Sequence, residues 1–216
     1  MDFSKPLFDA EQGLNLLVVG VGGQGVLLAS NVLGEVGLIL ELDVKKSEVH
    51  GMSQRGGSVN SHVRWGKEVF SPLIGKGEVD VLVSLERLET LRYLDLLHPG
   101  SVIIADPFAL YPVTVTSGKA SYPDEKLARA VVKQVIPRNF WIPATELAEG
   151  LGNVRAANVV LLGALSVLLN APASVWHLAL ERRVPTRFLS LNMRAFQLGQ
   201  QQMNSALQEA KRSVVS

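Results

Sequence analysis

Two stretches of this sequence place chemically capable residues at meaningful spacing. The first is Gly20-Val-Gly-Gly-Gln-Gly25, in which Gly20, Gly22 and Gly25 make G-x-G-x-x-G around Gly23 and Gln24. Glycines in such a run permit a tight turn and bring backbone N–H groups up to a phosphate at the positive end of a helix. The same turn can instead pack a helix tightly onto a sheet or meet another subunit, and both readings stay open. A dinucleotide site also needs an acid at the end of the second strand to hold the ribose. Glu41, Asp43 and Glu48 are within reach, but none is clearly placed, and Lys45-Lys46 intervene.

The second stretch is His50-Gly-Met-Ser-Gln-Arg-Gly-Gly57, which sets His50, Ser53, Gln54 and Arg55 beside Gly56 and Gly57. One reading is a solvated loop feeding an antiparallel hairpin. The other is a loop that presents Gln54 and Arg55 to an anion or a partner surface, since a guanidinium fork binds phosphate and carboxylate bidentately. His50 and Ser53 are the residue types of a hydrolase pair, but no G-x-S-x-G elbow or orienting acid accompanies them. No catalytic residue is assigned. Asp106 follows a buried-strand pattern, so it belongs either to the ligand-binding edge of a parallel sheet or to the cap of the next turn. Trp65, Trp141 and Trp176 read as core or interface anchors rather than stacking platforms for bases.

What the chain lacks is as informative. It has no cysteine among 216 residues, which excludes disulfides, a thiolate nucleophile and an iron–sulfur cluster held by its own cysteines. His50, His62, His98 and His177 are scattered without metal-binding spacing, so no metal is expected. A formal net charge of +1 gives no electrostatic reason for a nucleic-acid partner. The N-terminus has no signal-like apolar core, and the longest apolar stretch, residues 159–169, is too short to span a bilayer. A soluble cytoplasmic protein is expected, with no membrane contact.

The elements that must position these residues are legible in the hydrophobic pattern. Residues 14–19 are a β-rich run ending in glycines, and residues 26–40 repeat apolar side chains at helical steps. From Ser58 to Trp65 the period is two: Val59, Ser61, Val63 and Trp65 alternate with Ser58, Asn60, His62 and Arg64. That pattern predicts a strand, antiparallel to its neighbour, with one strongly polar face, for which exposure to water is one reading. Further strands are expected at 79–85, 102–105, 113–116 and 140–142, with helices at 88–97 and 123–135. The C-terminal part, about 153–211, reads as helical in three pieces: 155–169, 173–182 and 185–211. Pro172 and Pro185 stand near helix starts, where proline is tolerated. The expected fold class is α/β, a single Rossmann-like, doubly wound, mostly parallel sheet with a helical C-terminal part, in one domain over 1–216.

The glycine turn together with the run from Asp43 to Ser58 resembles the small, beta-type subunits of indolepyruvate:ferredoxin oxidoreductases. More widely it is similar to the gamma domain shared by the pyruvate/ketoisovalerate oxidoreductases. Ser71-Pro-Leu-Ile74, Ala105-Asp106, the stretch 158–164 and Asn192-Met-Arg-Ala-Phe196 fit as well, so the likeness runs over about residues 15–199. The resemblance implies a complex that decarboxylates an aryl 2-oxoacid oxidatively, giving an acyl-CoA, CO2 and reduced ferredoxin. It implies thiamine diphosphate and iron–sulfur clusters on a large catalytic subunit, with CoA as co-substrate and ferredoxin served by that subunit. This chain has neither cysteines nor a Gly-Asp-Gly…Asn-Asn diphosphate motif, so it is expected to bind none of these cofactors alone. It is expected to be inactive by itself and to face the large subunit, or CoA, through His50, Ser53, Gln54, Arg55, Gly56 and Gly57. The competing expectations are a free-standing dinucleotide-binding oxidoreductase and a pure assembly scaffold.

Overall fold

A strand that is apolar on both faces must be covered on both faces, and the computed structural model of the chain, which describes residues 13–50 and 57–215, obeys that requirement. β1 (Leu14–Val21) sends Leu14, Leu16 and Val18 into one core and Leu17 and Val19 into another. β4 (Val79–Ser84) and β5 (Leu97–Ala105) repeat the pattern. Val81, Val83, Val102 and Ile104 lie on the first side, and Leu82, Ile103 and Ala105 on the second. Burying each of these aliphatic side chains is worth roughly 1.5–3 kcal/mol, so the two-sided strands form the thermodynamic centre of the fold.

With β2 (Asp43–His50), β3 (Ser58–Gly66) and β6 (Asn139–Trp141), these strands make one six-stranded sheet in the order β2-β3-β1-β4-β5-β6. The pairs β1–β4, β4–β5 and β5–β6 are parallel, whereas β3 is antiparallel to both β1 and β2. The expected fold class therefore holds, with an antiparallel hairpin inserted at one edge.

The first core is covered by α1 (Val26–Ile39), α5 (Ala144–Gly150), α6 (Ala157–Leu168), α7 (Ala173–Arg183) and α8 (Thr186–Val215). The second lies under α2 (Arg87–Arg92) and α4 (Glu125–Val135). α6 is apolar all round, with ten of its 12 residues buried, because α8 packs over its outer side. The α6–α8 crossing is close: a β-carbon on Gly163 would lie 2.0 Å from the Phe196 carbonyl oxygen, and one on Gly199 1.9 Å from that of Val160. On this same side of the sheet, Glu35 of α1 is clamped by Arg182 and Arg183 of α7 at 2.8 and 2.5 Å. The hydrogen bond from Arg182, with that from Arg183, holds its carboxyl below the usual range.

Three expectations are corrected. Residues 113–116, read as a strand from their β-branched alternation, form the short helix α3 (Val113–Thr116). β5 already has β4 and β6 on its two sides, so this segment has no open strand edge on β5 to join; instead Val115 and Thr116 donate to the Pro112 carbonyl. The helix expected over 88–97 ends at Arg92, passes through the 3-10 turn Leu94–Leu96, and gives way to β5 at Leu97. β5 runs through Pro99-Gly100 because the ladder shifts register there, between Val79 and Val81, and Ser101 bridges the irregularity through the His98 amide and the Val79 carbonyl. The third concerns α5, a helix with no counterpart in the hydrophobic periodicity.

Candidate binding edge

The carboxyl end of β1 is where the sequence motifs meet. Gly25, left-handed at φ 85°, caps the start of α1 without a side-chain hydrogen bond, and no acidic residue occupies the first turn. The positive end of that helix is thus left open to an anion. The glycines, however, do different jobs. A β-carbon on Gly20 would lie 2.9 to 3.1 Å from Gln24, Val26 and Leu85, and one on Gly25 would lie 2.2 Å from the Asn158 amide. These two serve tight packing. Gly23, at φ 105° with open space where a side chain would stand, and half-buried Gly22 form the outward part of the turn. Gln24 is not outward-looking: its Oε1 accepts from the Val21 amide at 2.7 Å, and its Nε2 donates to the Leu85 carbonyl at 2.9 Å. It staples the turn to the end of β4.

The second motif arrives at the same place. His50 pairs with Val59, beside Ser58 and Val21, so the hairpin opens at the carboxyl end of β1. The Gly22 amide donates to the Gly57 carbonyl at 3.0 Å. Ser53, Gln54, Arg55 and Gly56, with the side chain of His50, lie outside the described residues.

The polar side of β3, for which the alternation leaves a water-facing surface as one reading, is half-buried at Ser58, Asn60 and Arg64 and buried at His62. Ser58 donates to Glu89 at 2.5 Å and accepts from the Tyr93 hydroxyl at 3.1 Å, and Asn60 donates to that hydroxyl at 2.8 Å. His62 is buried, and its Nδ1 accepts from the Ile74 amide at 3.1 Å. Burial, aided by nearby Arg64, pushes its pKa down and favours the neutral ring that can accept. Arg64 donates to Asn15 and to the Ser71 and Leu73 carbonyls. Alternation signalled a polar side; only the packing of α2 and of the 67–75 segment against it supplied partners.

Sequence reasoning also missed a cluster of carboxylates behind this edge. Glu86, nearly fully buried, accepts from the Glu89 amide at 2.9 Å, from the Leu110 amide at 3.0 Å and from the Tyr122 hydroxyl. It caps α2 and ties down the 107–124 excursion at once; the Glu-x-x-Glu spacing before an apolar run was the available signal. Glu89, between Ser58 and Arg92, has its pKa raised by burial. Asp106 takes the capping role: its Oδ2 accepts from the Thr145 amide and hydroxyl at 2.7 and 2.6 Å, and its Oδ1 from the Phe108 amide at 3.0 Å. Desolvation raises its pKa. A hollow of about 240 Å³ beside it is lined by Asp106, Glu125, Glu146 and Glu149, of which Glu125 is paired with Arg129 and Arg87. Among the described residues, no three His, Asp or Glu groups are arranged to hold a metal.

Topology takes β2 away from the glycine turn. β3 stands between β1 and β2, and the parallel strand beside β1 is β4, whose following acid, Glu86, is buried and occupied by the Glu89 and Leu110 amides and the Tyr122 hydroxyl. Asp43 pairs with Gly66 at the opposite end of the sheet, bonded to Lys45 and the Val69 amide. Glu41 lies in the preceding turn, and Glu48 is held by Lys46 at 2.6 Å. No described helix is long and apolar enough to cross a membrane.

Residues 15–202 match the family described as pyruvate ferredoxin/flavodoxin oxidoreductase. The indolepyruvate oxidoreductase subunit IorB of Pyrococcus horikoshii is 39% identical over 188 residues, which are 86% of this chain and 93% of that protein. Among solved structures, the gamma subunit of a keto/oxoacid ferredoxin oxidoreductase from Geobacter sulfurreducens superposes with a TM-score of 0.66 at 24% identity, over 89% of this chain and 99% of that one. A 2-oxoglutarate:ferredoxin oxidoreductase from Magnetococcus marinus, solved with 2-oxoglutarate, coenzyme A and succinyl-CoA, gives 0.69 at 23% identity. It covers 89% of this chain but 31% of that one. The last two likenesses concern the fold.

Proposed function

Since the chain belongs to the pyruvate ferredoxin/flavodoxin oxidoreductase family, we propose that it is the small subunit of a 2-oxoacid:ferredoxin oxidoreductase of the indolepyruvate type. The observation that carries this reading is the 39% identity to an IorB subunit over nearly the whole of both chains. The reaction served is oxidative decarboxylation of an aryl 2-oxoacid, with CoA as acyl acceptor and ferredoxin as electron acceptor. Thiamine diphosphate and iron–sulfur clusters belong to the large subunit, because this chain offers no cysteine to a cluster.

Within the complex, the carboxyl edge faces the large subunit near its active-site entrance. The open start of α1, with Gly22 and Gly23, suits an anionic group such as the CoA diphosphate. Gln54 and Arg55, which belong to the connection between β2 and β3, are proposed to serve the ligand or the large subunit. Supporting this assignment is the uncapped helix start.

The test is co-expression with a candidate large subunit, followed by assay with aryl, branched and short 2-oxoacids and a ferredoxin. The reading expects CoA-dependent reduction of ferredoxin by the pair, fastest with aryl substrates, and none by the purified small chain. Turnover by the small chain alone, or preference of the pair for 2-oxoglutarate, overturns it.

A further inference from the structure

The opposite, amino end of the sheet carries a feature the proposed function does not use. Phe70 is 87% exposed, the largest value among the exposed large apolar side chains of the described residues, and Leu73 nearby is 55% exposed. Loop tips that expose a phenylalanine are usually loose; this one is fastened on both flanks. On one side Val69 is buried, and its amide donates to Asp43 at 2.9 Å. On the other, Arg64 donates to the Ser71 and Leu73 carbonyls at 3.2 and 3.0 Å, and the Ile74 amide donates to buried His62 at 3.1 Å. The polar side of β3 thus holds an apolar side chain out in water, in a fixed place.

Phe70 stands on the rim of a groove of about 760 Å³, lined also by Gly13, Asn15, Arg64, Lys67, Glu68 and Asp80. A projecting apolar group and a groove on one patch are the requirement for a two-fold contact, in which the same surface serves both partners. The charges agree: Arg64 is held by Asn15 and the Ser71 and Leu73 carbonyls and Asp80 by the Asn15 amide and His98, which leaves exposed Lys67 and Glu68, of opposite sign, for a rotated copy to oppose to one another. A one-signed patch would repel its own copy; this one does not.

We propose that this end of the sheet is a self-association surface, in which Phe70 of one chain seats in the Gly13–Asn15 groove of a second chain and receives the partner's in return. The surface lies at the far end of the strands from the glycine turn, so self-association leaves the carboxyl edge free.

The experiment is sedimentation of the full chain across the micromolar range, alone and co-expressed with the large subunit, for wild type, Phe70→Asp and Phe188→Asp. Phe188 is 39% exposed and does not line the groove. Expected is a concentration-dependent dimer of the free chain, weakened at least about thirtyfold by Phe70→Asp, as for a central interface anchor. Phe188→Asp should leave the dimer alone, and equal melting temperatures would show that both variants fold. A chain that stays monomeric at every concentration, or a dimer indifferent to Phe70→Asp, overturns the proposal. If instead Phe70→Asp releases the large subunit while the free chain is monomeric, the groove belongs to that subunit. If a chain lacking residues 1–12 dimerises where the full chain does not, the groove belongs to the chain's own N-terminus. Both results also overturn it.

Discussion

The Gly22 amide and the Gly57 carbonyl are joined at 3.0 Å, although all of α1 and β2 lies between them in the chain. That bond brings the stem of the β2–β3 hairpin against the open start of α1, so the two ends of the second motif lie at the same edge of the sheet as the first.

Arg55 is the residue through which this arrangement is most directly tested. Under the proposed function, in which Arg55 serves a ligand or partner and not the fold, Arg55→Ala should leave the melting temperature of the free chain within the change of about 0.5 kcal/mol that such positions show. In the assembled enzyme it should remove roughly 1.5–3 kcal/mol of charge-assisted hydrogen bonding. That is about a ten- to hundredfold loss in the apparent CoA constant or in subunit affinity. Arg55→Lys should rescue only in part, for want of the bidentate fork. A sharp drop in melting temperature with both complex properties unchanged would make the residue structural.

Gly25 faces two constraints at once. Its φ of 85° costs a non-glycine residue roughly 1–2 kcal/mol, and a β-carbon would collide with the Asn158 amide at 2.2 Å. Asn158 cannot withdraw freely, since its Nδ2 donates to the Gly25 carbonyl at 2.9 Å. Gly25→Ala should therefore lose about 2 kcal/mol or more in urea unfolding. Pairing it with Asn158→Ala should return part of that loss, and a strictly additive double variant would show that the collision does not matter.

The α6–α8 crossing predicts a sharper effect. Gly163→Ala and Gly199→Ala each place a methyl about 2 Å from a backbone carbonyl oxygen, which only separation of the helices can relieve. Overpacking of this kind costs about 3 kcal/mol or more, corresponding to a fall in melting temperature of roughly 6–12 °C for a chain of this size. Gly150→Ala meets nothing within 4 Å and should be neutral or slightly stabilising. Thermal melts of the three variants would decide; equal behaviour would contradict the close crossing.

Glu89 predicts a pH dependence. Burial raises its pKa above the ordinary 4.5, so between that value and its folded one the native state binds more protons than the unfolded state. Stability from this group is then complete below the unfolded value and is lost as pH rises through the folded one. Glu89→Gln keeps an acceptor for Ser58 and removes the buried charge, so it should flatten the decline of stability with rising pH in that window. Denaturation curves from mildly acidic to neutral pH are the measurement. A variant with the same slope as wild type would assign the dependence elsewhere, with Asp106, raised in the same direction, the next group to examine.

Composition and local pattern were enough for the chemistry this chain cannot do and for most of its elements. A count of cysteines needs no fold to exclude a cysteinyl cluster. Runs such as residues 14–19 read as two-sided strands because an apolar side chain must be covered whatever covers it. Periodicity, however, reports which side of an element is apolar or polar and not which element lies beside it. The alternation in β3 is the same whether Ser58 and Asn60 meet water or Glu89 and Tyr93, and only the packing of α2 chose between them. The G-x-G-x-x-G spacing is likewise the same for a dinucleotide cradle and for a turn stapled by Gln24 and filled by Asn158. The structure favours the stapled turn, because β3 stands between β1 and β2 and moves the end of β2 one strand away from the glycines. Strand order and the fit of side chains from distant segments are set by contacts across the whole chain, and these only the tertiary structure could decide.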